Sequence, residues 1–177
     1  MNAPFRTPAV TVRLADPAEP DEARRIEAFV ADHAGATPFH RPAWLAAVEQ
    51  GTGNRALALI AERGGEIAAY LPLSEVHSPI FGRLLASTGF AVGGGLLLAE
   101  GASAGPVFAA LEELALRLSC PSVELRGGHL PLGLEGWHVR RDSHCGFVRD
   151  LAADDEAQLL AIPRKQRAEV RKGLSDE

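Results

Sequence analysis

Apolar and polar positions alternate over residues 9–15, AVTVRLA, which predicts a first β-strand. The period then changes. In PDEARRIEAFVADHAG, Pro20 stands near a helix start, acids fill the first turn, and Ile26, Phe29, Val30 and His33 fall on one helical face. Gly35 suits the stop. RPAWLAAVEQG predicts a second, short helix opened by Pro42 and closed by Gly51, with Trp44, Leu45 and Val48 as its apolar face. Two apolar runs follow in RALALIAERGGEIAAYLPLSEV, joined by Arg63-Gly64-Gly65, a hairpin signal. SPIFGRLLASTGFAVGGG is glycine-rich loop with one short strand around Leu84–Ser87, and LLLAE has strand character. After Gly105-Pro106, VFAALEELALRLSC carries Val107, Leu111, Leu114 and Leu118 on one stripe of a helix. SVELRGG predicts a buried strand, and WHVRRDSHCGFVRDL is strand-like with a turn near Asp142–His144. Asp154 and Asp155 offer caps for a helix running to Ile162, and Pro163 either kinks it or starts another.

This order predicts an α/β protein with a mixed sheet flanked by helices, an arrangement similar to that of GNAT-type (acyl-CoA N-acyltransferase-like) proteins. A fold by itself fixes no function. The 177 residues suffice for one domain with a real core. A hydrophobic share of 46% and a charged share of 23% are ordinary for a globular chain. The net charge of −5 argues against a general polyanion-binding surface. Two cysteines, Cys120 and Cys145, stand in no metal or redox spacing and predict reduced thiols and a cytoplasmic location. No apolar run reaches the roughly 20 residues of a membrane span.

Candidate chemistry is sparse. Gly93–Gly95 invites a phosphate-cradling role, but LLLAE separates it from any helix; EGASAG (100–105) does precede one, yet lacks a basic first residue and regular glycine spacing. Both suit plain loops. His129, His138, His144 and Cys145 do not share a ligand geometry, so no metal site is expected. No nucleophile-elbow sequence is present, and Glu75, Glu124 and Asp142 are possible general bases without further support, so no catalytic residue is assigned. In TPFHRPAWL (37–45) Phe39 and Trp44 flank a helix start with His40 and Arg41 beside them, which leaves two readings open: a hydrophobic staple with a core tryptophan, or a pocket wall of one aromatic ring and a polar neighbour. At the end of the chain, residues 163–173 hold five cations against Glu169. Their charge of +4 leaves −9 elsewhere. Arg164, Arg167 and Arg171 align on a helical stripe, either as a solvated face or as a surface for an anionic ligand or another domain.

FHRPAWLAAV, LPLSEVHSPIFGRLLASTGF, GGG, LALRLSCPSVELRGG and IPRKQRAEVRKGL occur in an order that resembles FemAB-related proteins of the exosortase/PEP-CTERM-associated branch. The resemblance spans nearly all of residues 37–174. It implies two tandem GNAT-like domains: a first over 1–162 and a basic connector helix over 163–177 toward a second domain, missing here. It implies transfer of an aminoacyl or acyl group, from aminoacyl-tRNA or acyl-CoA, to an amine of an anionic cell-wall or exopolysaccharide precursor, with no resident cofactor. Half of such an enzyme is expected to be incomplete for catalysis; the alternative is a non-catalytic substrate- or partner-binding module. On this resemblance the substrate-binding residues are Phe39, His40, Trp44, Arg83, Ser87, Lys165, Arg167 and Arg171. Gly89 departs from the pattern, which has proline before Phe90.

Overall fold

A computed structural model describes residues 9–80, 82–140 and 145–175. They fall into two compact units, Met1–Val139 and Arg140–Glu177.

The first unit holds a six-stranded sheet of β1 (Val10–Ala15), β2 (Arg55–Arg63), β3 (Glu66–Ser78), β4 (Gly82–Ala86), β5 (Leu97–Leu98) and β6 (Ser122–Glu124), in the order β1-β2-β3-β4-β6 with β5 also on β3. Strand β1 (Val10–Ala15) pairs antiparallel with β2 (Arg55–Arg63), which turns through Gly64-Gly65 into β3 (Glu66–Ser78). Both central strands are buried on two faces, which is why their sequences run continuously apolar instead of alternating. Leu57, Leu59, Ala61, Ala69, Leu71 and Leu73 meet Val107, Phe108, Leu111 and Leu114 of α3 (Gly105–Arg117). Ala58, Ile60 and Tyr70 face the other way, onto Ile26 and Val30 of α1 (Pro20–Asp32). An ion-pair network of Arg13 and Arg25 with Glu22 and Glu62, at 2.5–2.9 Å, ties α1 to the edge of the sheet.

Helix α2 (Pro42–Thr52) ends on Gly53 in the left-handed region (φ 72°), two residues later than the Gly51 stop expected from sequence. A single 3₁₀ turn, Pro38–His40, leads into it. Strand β6 (Ser122–Glu124) pairs in parallel with β4 (Gly82–Ala86) at the sheet edge. It is largely exposed, which corrects the expected buried strand: among the described residues only β4 flanks it. The strand character expected over 137–151 is also absent from its described residues, 137–140 and 145–151, which form no strand. The turn expected at Asp142–His144 lies outside the described residues.

In the second unit, Asp154 caps α4 (Asp155–Ala161) by accepting the Ala157 N–H at 2.8 Å. Pro163 separates it from α5 (Arg164–Ser175), so the proline starts a new helix. Neither helix buries a residue, and Phe147, Val148 and Leu151 are exposed. Among the described residues no helix is long and apolar enough to cross a membrane.

Candidate functional site

Strand β3 is lined on one side by two short strands in succession. β4 covers Ser74–Ser78 and β5 (Leu97–Leu98) covers Ala69–Tyr70. Between them the partner strand leaves β3 for ten residues, 87–96, and opens a fork in the sheet. Pro72 stands opposite the gap. Its carbonyl takes the Thr88 N–H at 3.4 Å. In a strand the N–H and C=O of one residue point the same way, so the donor that proline lacks would also have faced the fork. The proline inside YLPLS thus marks where pairing breaks.

The excursion is tightly built. Thr88 is fully buried and donates its hydroxyl to the Gly94 carbonyl at 2.8 Å. Thr88 (φ 54°) and Phe90 (φ 59°) both sit in the left-handed region, which disfavours side chains other than glycine by roughly 1–2 kcal/mol each. Such strain persists only when the surroundings dictate it. Here it holds Phe90 and Val92 outward, 64% and 71% exposed. Beneath them, Gly93–Gly95 press against Gly127-Gly128. A β-carbon on Gly95 would lie 1.8 Å from the Gly127 carbonyl oxygen. These glycines therefore serve backbone packing, and their carbonyls are occupied: Thr37 Oγ1 donates to Gly93 O at 3.1 Å and His40 Nε2 to Gly95 O at 2.9 Å.

His40 is the hub of this wall. Only 1% exposed, it accepts the Thr37 N–H on Nδ1 at 3.0 Å, which leaves the proton on Nε2 for Gly95. Tyr70 donates its hydroxyl to the His40 carbonyl at 2.9 Å. The Thr37–His40 pair forms a capping box in which an imidazole takes the usual place of a glutamate. Burial holds the ring neutral, with its pKa below the ordinary value. Beside it, Phe39 and Trp44 pack edge to face at 4.8 Å, and the indole N–H reaches the Gly89 carbonyl at 3.3 Å. Both rings are partly buried, so they do wall the loop. Trp44→Ala is accordingly expected to cost about 2 kcal/mol, short of the 3–5 typical of a fully buried ring, as urea denaturation would measure.

The other candidates are dispersed. Ser87 is buried at the mouth of the fork, where its hydroxyl accepts the Arg126 N–H at 2.7 Å. Arg83 lies four residues earlier, on β4, bound to the Leu118 carbonyl at 3.2 Å and 3.7 Å from Glu75. Lys165, Arg167 and Arg171 belong to the second unit. Arg167 does not share the open stripe expected of it, because its guanidinium caps the Leu160 and Ile162 carbonyls at 2.7–3.2 Å. The possible bases are also engaged. Glu75 pairs with Arg55 at 3.1 Å, and Glu124 holds Arg126 through two contacts of 3.0 Å. Asp142 and His144 lie outside the described residues. No cluster of three metal-ligating side chains occurs among the described residues. In the loop leading to α3, Arg63 occupies the Glu100 and Gly101 carbonyls.

Sequence reasoning missed Thr37, Tyr70, Pro72 and Thr88. Two had a visible signal: the T-x-x-H spacing of a capping box and the proline within an apolar strand. Thr88 had none, since its role depends on the left-handed backbone.

No protein-family profile matches the chain, and no curated protein does. Solved structures do resemble it. A ribosomal-protein-alanine N-acetyltransferase from Brucella melitensis biovar Abortus 2308 aligns with a TM-score of 0.50 and 16% identity, over 80% of this chain and 99% of its own. A GNAT family acetyltransferase from Staphylococcus aureus gives 0.46 and 12%, over 80% and 98%. An aminoglycoside N-acetyltransferase in complex with CoA gives 0.42 and 12%, over 80% and 100%. At 16% identity the likeness to the first of these speaks for architecture only: the chain has the mixed, helix-flanked sheet of that N-acetyltransferase.

Proposed function

We propose that this chain is the N-terminal half of a FemAB-like acyl or aminoacyl transferase acting on an amine of a cell-wall or exopolysaccharide precursor. Its own part is to hold the acceptor on the 87–96 loop. The observation that carries this is the fork at Pro72, where strained backbone presents Phe90 and Val92 beside the Phe39–Trp44 pair. The cost of that strain is intelligible if the loop meets a ligand. The motif order shared with FemAB-related proteins, together with the GNAT fold, supports acyl transfer as the chemistry.

In this proposal residues 1–162 are the first GNAT-like domain and 163–177 a connector toward a second. Arg164, Lys165, Arg171 and Lys172 on α5 make no ion pair among the described residues, as suits a surface that meets a further domain or the anionic precursor. The donor, aminoacyl-tRNA or acyl-CoA, belongs to the complete enzyme.

A second reading, a non-catalytic binding module, is favoured by the engagement of Glu75, Glu124 and His40, which leaves no idle proton acceptor at the fork among the described residues. Acyl transfer needs a positioned amine and a group to receive its proton.

Acyl-CoA is expected to bind the isolated chain weakly. A groove of about 580 Å³ lies beside the segment leading to α3, and in its lining the carboxylates of Asp32, Glu66 and Glu100 outnumber the guanidinium of Arg25. Carboxylates there oppose a pyrophosphate. Calorimetry should give a Kd for acetyl-CoA weaker than about 1 mM, equivalent to less than about 4 kcal/mol of binding free energy, with no acetylation of glucosamine. Micromolar affinity with turnover would instead mean a self-sufficient acetyltransferase.

A further inference from the structure

Two histidines bind the segment between the fork and β5, and they do so in the same way. His40 accepts the Thr37 N–H on Nδ1 and donates Nε2–H to Gly95 O, at 3.0 and 2.9 Å. His33, just past the end of α1, accepts the Gly35 N–H on Nδ1 and reaches Leu98 O with Nε2, again at 3.0 and 2.9 Å. Each ring therefore needs one bare nitrogen and one N–H, the property of neutral imidazole. An imidazolium carries hydrogen on both nitrogens. On protonation Nδ1–H would point at the backbone N–H of Thr37 or Gly35, donor against donor; at His40 it would turn to the Thr37 hydroxyl oxygen, also 3.0 Å from Nδ1, and in both rings the backbone cap would break.

We propose that His33 and His40 form a proton-operated clamp on Gly93–Leu98: neutral rings hold the segment, and protonation releases it while the sheet stays folded. Its bearing on ligand binding rests on the loop being the acceptor face proposed above; the release itself does not.

The surroundings fit a switch confined to this edge. Around His40 the ionisable groups are His33 from α1, whose charge would oppose a second one, Tyr70 from β3, and Arg41, which is paired with Glu27 of α1. His33 faces the groove that Arg25, Asp32, Glu66 and Glu100 line, with the Phe29 ring 5.5 Å away. Of the released carbonyls, Gly95 O lies two residues before β5 and Leu98 O at its end, and β5 is a strand of only two residues. β5 pairs with β3 over two residues, Ala69 and Tyr70, and its flanks are held by Ala99 N–H to Ala68 O at 2.9 Å and His129 N–H to Leu96 O at 3.1 Å. Histidine is the side chain suited to such a change near neutrality.

The test is a titration of the whole chain from about pH 8 to about pH 5, without ligand. Imidazole and backbone amide NMR spectra would be followed together with far-UV circular dichroism. At the alkaline end both rings should show the Nε2–H tautomer. As each ring protonates, the amides of Gly93–Gly95 should move with His40 and those of Leu97 and Leu98 with His33. Protection of the β5 amides, corrected for intrinsic exchange, should fall by about tenfold or more, with circular dichroism unchanged. His40→Gln should abolish the first amide transition and His33→Gln the second. If a variant does not fold, the wild-type titration still decides. Segment amides that ignore ring protonation, an Nδ1–H tautomer at the alkaline end, or loss of the whole sheet in the same step would each overturn the proposal. Because no ligand enters, a failed acceptor-face proposal would leave this result standing.

Discussion

Gly95→Ala is expected to remove about 3 kcal/mol or more of folding stability, at the upper end of what overpacking usually costs. The added β-carbon would fall 1.8 Å from Gly127 O and 2.4 Å from Gly127 C, both backbone atoms that no rotamer change can move. Relief requires the 87–96 loop to slide off the Gly127-Gly128 segment. That would break the His40–Gly95 bond and the His129 N–H bond to Leu96 O at 3.1 Å. Gly173→Ala on α5 is the matched control, because nothing lies within 4 Å of its β-carbon. Alanine there should be harmless or favour the helix by up to about 1 kcal/mol. Urea denaturation of both variants makes the comparison. Equal midpoints would mean that the glycine contact is not formed.

His40→Ala is the second large effect, also about 3 kcal/mol, and it arises differently. Nothing is overfilled; a cavity opens, and two buried polar groups, Thr37 N–H and Gly95 O, lose their partner. Each orphaned group costs about 1–3 kcal/mol when water cannot reach it. The loop should loosen before the sheet does, since Ala58, Ile60, Leu71 and Leu73 keep their contacts. Thermal unfolding with amide spectra of Gly93–Gly95 would register both. A loss below about 1 kcal/mol, with loop amides unchanged, would remove His40 from its place as hub.

Much of the scaffold was legible because its causes are local. Alternation marked β1, Gly64-Gly65 marked the hairpin, Pro42 opened α2, and the Val107–Leu111–Leu114 stripe marked α3. The candidate site was legible only in part. Phe39, His40 and Trp44 stood out as an aromatic cluster at a helix start, and the structure gathers them on one wall. What His40 does there depends on Gly95, 55 residues away, and no local pattern encodes that pairing. The glycine triplet is a loop, as expected, but its packing was not legible for the same reason: its partner is a second glycine pair at 127–128. The segment over 137–151 failed in the opposite sense. Its composition suits a strand, but a strand also needs a neighbour, and its described residues have none.

The central claim is that the strained loop at the fork is the face that receives the acceptor amine. Amide shift mapping of the full chain with glucosamine, and separately with acetyl-CoA, tests it most directly. Glucosamine should perturb Phe39, Trp44 and residues 88–92 while leaving residues 99–105 unmoved, and acetyl-CoA should perturb neither at sub-millimolar concentration. Shifts clustered at 99–105 and in the groove beside α1, with the loop amides still at saturating glucosamine, would contradict it.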